Sequence, residues 1–263
     1  MNLIWNVGRG AVKEPRAVFV HYAGNENSDE VELAIVGKGV TYDTGGLNIK
    51  LRMMELMHGD KGGAAAVLGA LEGSITLGLK KNVVFVFGFA ENAIGPECYK
   101  PGDILKAMNG LSVEIGNTDA EGRLVMSDCM TYVQRTYKPK QVMYIATLTG
   151  AMLMALGTKT AGFFAPDDEM ANKVKAAGKD AHEDLWQMPL TESHKEDIHG
   201  KWGGDIHNIG LSGFAGACTA AAFLERFVED NRPWAHLDIA GPAMMEETGG
   251  FGARTLLNFI NNM

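Results

Sequence analysis

The sequence predicts a single α/β domain built in three layers, with a mostly parallel central sheet and helices on both of its faces. Short β-branched or aromatic runs alternate along the chain with segments of helical periodicity. This alternation is typical of a parallel sheet, because parallel strands are joined by crossover connections that usually contain a helix. With 263 residues and 46% hydrophobic content, the chain can also bury a sizeable core.

Five strands and three helices account for most of the pattern. The predicted strands cover 17–22, 32–37, 83–88, 112–116 and 141–147. The helices are indicated by apolar residues spaced i, i+3, i+4 and i+7, namely Ala64, Val67, Leu68 and Leu71, then Met126, Cys129, Met130 and Val133, and then Ala220, Phe223, Leu224 and Phe227. Residues 164–213, with many polar residues and glycines, are predicted to be the most irregular region. Ligands of such folds bind beyond the carboxyl ends of the strands, so the chemistry is expected there.

Charge and cysteine content disfavour several classes of function. The chain has 24 basic and 32 acidic residues, a formal net charge of −8, so neither nucleic acid nor a membrane surface is an expected partner. Cys98, Cys129 and Cys218 form no CxxC motif and favour free thiols in a reducing compartment. No apolar run approaches the roughly 20 residues of a membrane helix, and residues 1–15 lack the pattern of a signal peptide. We therefore expect a soluble, cytoplasmic protein.

Ligand-type side chains concentrate where two predicted strands end and where a helix begins. They are Lys38, Asp43 and Lys50 in 37–50, Asp119, Glu121 and Arg123 in 117–124, and Asp60 before the helix predicted at 62–77. Four converging carboxylates repel one another unless they take up protons, form salt bridges or bind hard cations. Two divalent ions neutralise four carboxylates, and a pair about 3.5–4 Å apart can share one bridging hydroxide as nucleophile. Hydrolysis is the expected reaction class.

Each of these residues also has a simpler explanation. An isolated Asp or Glu in a turn usually caps a helix or faces water, and a Gly-rich turn after a strand often serves backbone geometry or cradles a phosphate. Phosphate is disfavoured here, because no Walker A pattern occurs and the neighbouring carboxylates would repel it. A metal site fits the cluster better.

Three blocks of the sequence combine glycines with these ligand-type residues. They are VGKGVTYDTGGLNIK at 36–50, GDKGGAAAVLGA at 59–70 and NTDAEGRLVMSD at 117–128. Together they resemble the signature blocks of the leucine aminopeptidase (cytosol aminopeptidase) family, and further similarity covers nearly the whole chain. The resemblance implies a two-metal aminopeptidase that removes Leu- or Met-like residues from the amino ends of short peptides.

That resemblance implies a role for each metal-binding residue. Asp43 and Glu121 would bridge two divalent ions, which are Zn²⁺, Mn²⁺ or Mg²⁺. Lys38 and Asp60 would complete the coordination of one ion, and Asp119 that of the other. Because an ammonium group has no acceptor, Lys38 can be a ligand only as a neutral amine, with its pKa depressed by adjacent cations and burial.

The resemblance also implies catalytic and substrate-binding residues. Lys50 would polarise the scissile carbonyl and stabilise the oxyanion, and Arg123 would hold a bicarbonate that acts as general base. The free α-amine of the substrate would bind a metal, which restricts cleavage to amino-terminal residues. Backbone groups of Thr147, Leu148 and Gly150 would fix the peptide. The pocket for the first side chain would consist of Met57, Thr147, Gly150, Ala240 and Ala243, although Met57 and the alanines also fit plain core positions.

Three features depart from the family pattern. The segment from Lys50 to Asp60 is one residue shorter than usual, and Lys61 stands where many members carry methionine. Residues 1–263 are expected to form the catalytic domain without the family's amino-terminal domain and without the opening part of the catalytic domain. The resemblance further suggests a homohexamer whose active sites face an inner cavity.

Other functions stay open at this point. A histidine-based zinc site is disfavoured, because His194, His199 and His207 lack the spacing of an HExxH motif and are expected to hydrogen-bond locally or face solvent. A non-catalytic, aminopeptidase-like structural subunit would be favoured by loss of a ligand, but all the ligand positions are present. Another two-metal hydrolase, such as a dipeptidase or phosphoesterase, would differ in its substrates.

Overall fold

A computed structural model gives the architecture of the chain and describes residues 1–245 and 250–263. The strands of the central sheet are β1 (Arg16–Ala23), β2 (Leu33–Asp43), β3 (Asn82–Asn92), β6 (Gln141–Ala146), β7 (Ala161–Phe164), β8 (Leu185–Gln187) and β10 (Trp234–Asp238). A second, smaller sheet consists of β4 (Ile104–Lys106), β5 (Ser112–Glu114) and β9 (Ile206–His207). The helices are α1 (Asn2–Gly8), α2 (Gly62–Leu77), α3 (Glu121–Tyr137), α4 (Gly150–Leu156), α5 (Asp168–Ala181), α6 (Glu192–Glu196), α7 (Gly216–Glu225), α8 (Ala240–Met245) and α9 (Ala253–Asn261), with a 3-10 helix at Met54–Gly59.

The centre of the large sheet is parallel and its edges are antiparallel. Its strand order is β1-β3-β2-β6-β10-β7-β8. The neighbours β3, β2, β6 and β10 run in the same direction, whereas β1 is antiparallel to β3 and β7 is antiparallel to β10. The prediction of a mostly parallel sheet is confirmed, and the parallel strands deliver their carboxyl ends to one edge.

Helices cover both faces of this sheet, as predicted. Successive residues of β2 alternate between two apolar clusters: Leu33 and Ile35 belong to one, and Ala34 and Val36 to the other. The first cluster packs against α2, α5 and α9, and the second against α1, α3 and α7. Alternation across a strand places successive side chains on opposite faces, so the two clusters are the two interfaces of a three-layer α/β domain.

Two sequence predictions need correction. The run 112–116 forms β5 of the small sheet rather than a strand of the central sheet. The region 164–213 is less irregular than predicted, because it contains α5, β8, α6 and β9. Helix α5 was missed because four of its six buried residues are alanine or glycine, which give a weaker apolar signal than larger side chains. Its N-cap is Asp167, whose side chain accepts from Met170 N at 2.8 Å.

The other predicted helices occur where the periodicity placed them. Helix α2 spans the 62–77 segment and ends at Gly78, whose φ of 60° is the left-handed conformation typical of a helix C-cap. In the described part of the chain, no helix is long and apolar enough to cross a membrane.

Candidate active site

A cavity of about 290 Å³ opens at the carboxyl ends of the parallel strands. It is lined by most of the residues that the sequence singled out, namely Lys38, Asp43, Lys50, Met57, Asp60, Asp119, Glu121, Thr147, Leu148, Gly150 and Ala240. The strands and loops that carry them lie far apart in the sequence. Their meeting at one place is the arrangement expected of an α/β fold.

Two of the predicted site residues do not line this cavity. Arg123 is buried in α3, where its Nη1 donates to the backbone oxygen of Asn208 at 2.8 Å. Ala243 packs against the apolar cluster under α2 instead. Lining residues that were not predicted are Leu51, Arg52, Met53, Thr149, Leu153 and Met244. Three of the six, Leu51, Thr149 and Met244, are sequence neighbours of predicted residues, and that adjacency was the available signal.

Lys38 bridges two carboxylates at the floor of the cavity. Its Nζ lies 2.7 Å from Asp60 Oδ1 and 2.9 Å from Glu121 Oε1. The side chain reaches across the start of α3, where a Cβ on Gly122 would stand 2.5 Å from Lys38 Cε. Glycine at 122 is therefore what lets the lysine lie against the helix that begins with Glu121.

Lys50 bridges the other two carboxylates. Its Nζ lies 2.9 Å from Asp43 Oδ2 and 2.6 Å from Asp119 Oδ1. The loop that carries Lys50 back to the end of β2 turns at Gly45 and Gly46, whose φ angles of 86° and 63° favour glycine. Four carboxylates and two lysines thus form one compact charged cluster.

Side chains that the sequence did not single out hold together the two loops that follow β2 and precede α3. Asn92, at the end of β3, donates through Nδ2 to Asp43 Oδ1 at 2.7 Å and to the Thr118 backbone oxygen at 3.0 Å. Thr118 Oγ1 donates to the Gly45 backbone oxygen at 2.6 Å, and Asn48 Oδ1 accepts from Thr118 N at 2.8 Å. These bonds fix Asp43 relative to the loop that leads to Glu121.

The donor set fits divalent metal ions. Asp43, Asp119 and Glu121 offer carboxylate oxygens that all lie within 4.8 Å of one another. Among the described residues, Asp60 Oδ2 is buried and has no hydrogen-bond partner. A buried carboxylate oxygen without a partner is costly, and a cation removes that cost. Oxygen ligands of this kind suit Mg²⁺, Mn²⁺ and Zn²⁺.

The carboxylates differ in their affinity for protons. Burial raises the pKa of Asp60 to about 7, and the negative charges of Glu121 and Asp43 add to this effect. Burial also raises the pKa of Asp119 to about 7, with the same two neighbours contributing. The pKa of Asp43 is lowered, because Lys38 and Lys50 outweigh the effect of its burial.

The lysines of the cluster are held as cations. Burial alone would lower the pKa of Lys38, but Asp60, Glu121 and Asp43 outweigh it, and the pKa is raised. Lys50 behaves in the same way. A neutral, ligating Lys38 therefore needs the positive charge of bound ions to reverse this shift. Burial lowers the pKa of Arg123 to about 10, which still leaves it a cation at neutral pH.

Metal affinity is expected to fall as the pH drops below 7, because Asp60 and Asp119 bind protons in competition with metal. Each group should weaken binding about tenfold between pH 8 and pH 6. The pKa of Asp60 and of Asp119 in the folded chain exceeds the ordinary 3.8. In the metal-stripped chain, the contribution of these two groups to the free energy of unfolding is therefore complete below about pH 4 and is lost as the pH rises to about 7. Calorimetric titration of Mn²⁺ into the chelator-treated chain at pH 8 and at pH 6 measures the change in metal affinity. Equal affinities would show that these carboxyls are already ionised at pH 6.

The three histidines of the 194–207 segment make local contacts, as expected from the sequence. His194 Nδ1 accepts from Thr191 N at 3.2 Å within the capping box of α6. His199 contacts the Glu196 backbone oxygen, and His207 Nδ1 lies 2.8 Å from the Ile209 backbone oxygen. Within residues 1–245 and 250–263, no group of histidines is arranged to hold a metal.

Comparison with known proteins places the chain in a family. Residues 1–257 match the family model described as the cytosol aminopeptidase family, catalytic domain. The chain is 44% identical to the probable cytosol aminopeptidase of Chlamydia trachomatis over 270 residues, which cover 99% of the chain and 54% of that relative. It is also 44% identical to the probable cytosol aminopeptidase of Rhizobium rhizogenes, covering 97% of the chain and 52% of that relative. The chain spans about half the length of the curated relatives it matches.

Proposed function

Because the chain belongs to the cytosol aminopeptidase family, we propose that it is the catalytic part of a two-metal aminopeptidase. Its substrates are short peptides, from which it removes an amino-terminal Leu- or Met-like residue. The observation that carries the proposal is the convergence of four carboxylates and two lysines on one cavity at the strand ends. Family membership supports peptidase chemistry, and the donor set supports the use of metal ions.

Two divalent ions, Zn²⁺, Mn²⁺ or Mg²⁺, are assigned to this cluster. Asp43 and Glu121 are proposed to contact both ions. Lys38 and Asp60 would complete the ligands of one ion, and Asp119 those of the other. Once bound, such ions supply Lewis acidity, which lowers the pKa of water and polarises a carbonyl group.

Lys50 is proposed to stabilise the negative charge that develops on the scissile carbonyl oxygen. Its side chain is 18% exposed, against 3% for Lys38, so it is the lysine of the pair that a substrate reaches more easily. The raised pKa keeps its proton in place at neutral pH. A fixed donor aimed at a developing oxyanion lowers the barrier most in a site that excludes water.

Arg123 is proposed to hold a bicarbonate that serves as general base. Only its Nη1 donates to Asn208, and its buried Nε has no hydrogen-bond partner among the described residues. A buried guanidinium with donors to spare favours a small anion nearby. Bicarbonate would accept the proton that water loses when it attacks the peptide.

The lining of the cavity supports a preference for free amino termini and apolar first residues. A free α-amine would offer its lone pair to one of the ions that the carboxylates of the cavity hold, whereas an acylated nitrogen would not. The wall of the cavity includes Met53, Met57, Leu153 and Ala240, which form an apolar surface. Met side chains adapt to irregular apolar shapes, so Leu and Met are the first residues that suit this wall.

An assay of three substrates tests the proposed function. With Mn²⁺ or Zn²⁺ added, the chain should hydrolyse leucine amide, and it should cleave amino-acetylated leucine amide at least about 100-fold more slowly, because the acetylated nitrogen can no longer bind a metal ion. A phosphate ester should not be cleaved at all. Faster cleavage of the ester than of leucine amide would identify another kind of two-metal hydrolase.

Lack of all three activities has a different meaning. If elemental analysis finds the metals bound and the chain still cleaves nothing, the chain is a structural subunit rather than an enzyme.

Homohexameric assembly and a cytoplasmic location also belong to the proposal. Small-angle scattering of the purified chain measures the first, and fractionation of the cells that produce it measures the second.

A further inference from the structure

We propose that Asp238 is a positioning residue that holds the loop at 147–150 in place and thereby sets how tightly the first residue of the peptide is bound. The inference rests on the proposed function. Asp238 is the last residue of β10, is fully buried and is not among the residues that line the cavity. Asp238 has no function in the proposed mechanism.

The Asp238 carboxylate accepts hydrogen bonds from two segments that line the cavity, the loop after β6 and the turn after β10. Its Oδ1 accepts from Leu148 N at 3.1 Å and from Ala240 N at 3.3 Å. Its Oδ2 accepts from Thr149 Oγ1 at 2.7 Å. Hydrogen bonds to a carboxylate are stronger than those between neutral groups. One buried side chain therefore ties the loop after β6 to the turn after β10.

The peptide unit between Thr147 and Leu148 links Asp238 to the metal-binding residues. In a trans peptide the C=O and N–H groups point in opposite directions. The N–H of Leu148 faces Asp238, and the C=O of Thr147 accepts from Lys38 Nζ at 3.0 Å. Thr147 Oγ1 also donates to Asp60 Oδ1 at 2.8 Å. The loop is thus clamped between Asp238 on one side and the ligand cluster on the other.

Thr149 extends this hydrogen-bonded network into α4. Its Oγ1 donates to Asp238 and accepts from Met152 N at 3.0 Å, which makes it the N-cap of the helix. Leu153, in the next turn of α4, lines the cavity. Loss of the Asp238 carboxylate should therefore disturb two parts of the wall, the loop backbone and the helix, without removing any metal ligand.

The test compares Asp238→Asn with a matched control, Asp128→Asn. Asp128 is also a buried carboxylate that accepts from backbone N–H groups, those of Leu3 at 2.7 Å and Met108 at 3.0 Å, but it does not line the cavity. For Asp238→Asn we expect the KM for leucine amide and the Kd of leucine hydroxamate to rise about tenfold, with metal content unchanged and kcat within about threefold. Asp128→Asn should change only the unfolding temperature.

A second pair of variants covers the case in which Asp238→Asn fails to fold. Thr149→Val removes the hydroxyl between Asp238 and α4, whereas Thr149→Ser keeps it. The valine variant should bind leucine hydroxamate more weakly, and the serine variant should bind it as the unmodified chain does. Equal loss in both would mean that side-chain shape, not the hydrogen bond, matters, and would overturn the proposal.

The remaining outcomes separate this inference from the proposed function. Unchanged KM and Kd in Asp238→Asn, or an equal rise in Asp128→Asn, would overturn the role of Asp238. If the unmodified chain binds the hydroxamate but cleaves nothing, the proposed function fails while the Kd comparison still decides the role of Asp238. If the chain neither binds nor cleaves, both proposals fall.

Discussion

Replacement of Glu121 by glutamine is expected to lower kcat/KM for leucine amide by at least about 10³-fold, because several kcal/mol of metal-dependent charge stabilisation are lost. Glu121 is fully buried at the start of α3 and lies 2.9 Å from Lys38 Nζ. An amide of the same shape carries no charge and is a poorer ligand for hard cations. Elemental analysis of the variant should therefore also show fewer metal ions per chain.

Glu183→Gln is the matched control for this variant. Glu183 is likewise a buried glutamate, but it accepts from Thr255 Oγ1 at 2.6 Å and from Gly252 N at 3.1 Å, near α9 and outside the cavity lining. The control should keep its metals and its turnover below its unfolding temperature. Retention of more than a tenth of the activity by Glu121→Gln would remove Glu121 from the set of metal ligands.

Replacement of Lys38 by methionine is expected to destabilise the metal-stripped chain by about 3–5 kcal/mol, because it leaves buried carboxylates without their counter-charge. Lys38 is 3% exposed and contacts Asp60 and Glu121 directly. Both acids would have to take up a proton or remain buried as unpaired charges. The effect should be largest above pH 7, where Asp60 is otherwise ionised. Denaturant unfolding at pH 8 in the presence of a chelator measures it.

Lys140→Met provides the contrast for that measurement. Lys140 pairs with Glu30 at 2.7 Å, and both side chains are largely exposed to solvent. Exposed ion pairs contribute little to stability, so this variant should unfold at almost the same denaturant concentration as the unmodified chain. Similar stabilities of the two variants would mean that the charges around Lys38 are compensated in some other way.

The sequence was sufficient to predict the fold where strand and helix patterns are strong. The runs that became β1, β2, β3 and β6 are rich in β-branched and aromatic residues, and the helices α2, α3 and α7 show clear periodicity. Strand β10 was harder to recognise, because His236 and Asp238 are polar yet buried. The placement of β5 in a second sheet depends on pairing with β9, more than 90 residues later, which no local pattern reveals.

The candidate site could be predicted as a set of residues but not as a geometry. The glycine- and acid-rich blocks indicated residues that lie around one cavity in the structure, and the parallel strands explain why they meet. The hydrogen bond of Arg123 to Asn208 joins residues 85 positions apart, so no local sequence pattern indicates it. The contacts of Asp238 were also hidden, because its hydrogen-bond donors are mostly backbone N–H groups, which carry no sequence signature.

The most direct measurement is the turnover of leucine amide by the chelator-treated chain as Mn²⁺ or Zn²⁺ is added back, beside the variants Asp119→Ala and Glu121→Ala. We expect no turnover without metal, a rise that levels off near two ions per chain, and no recovery in either variant. Turnover in the presence of the chelator, or a chain that holds two ions and still leaves leucine amide intact, would contradict a two-metal aminopeptidase.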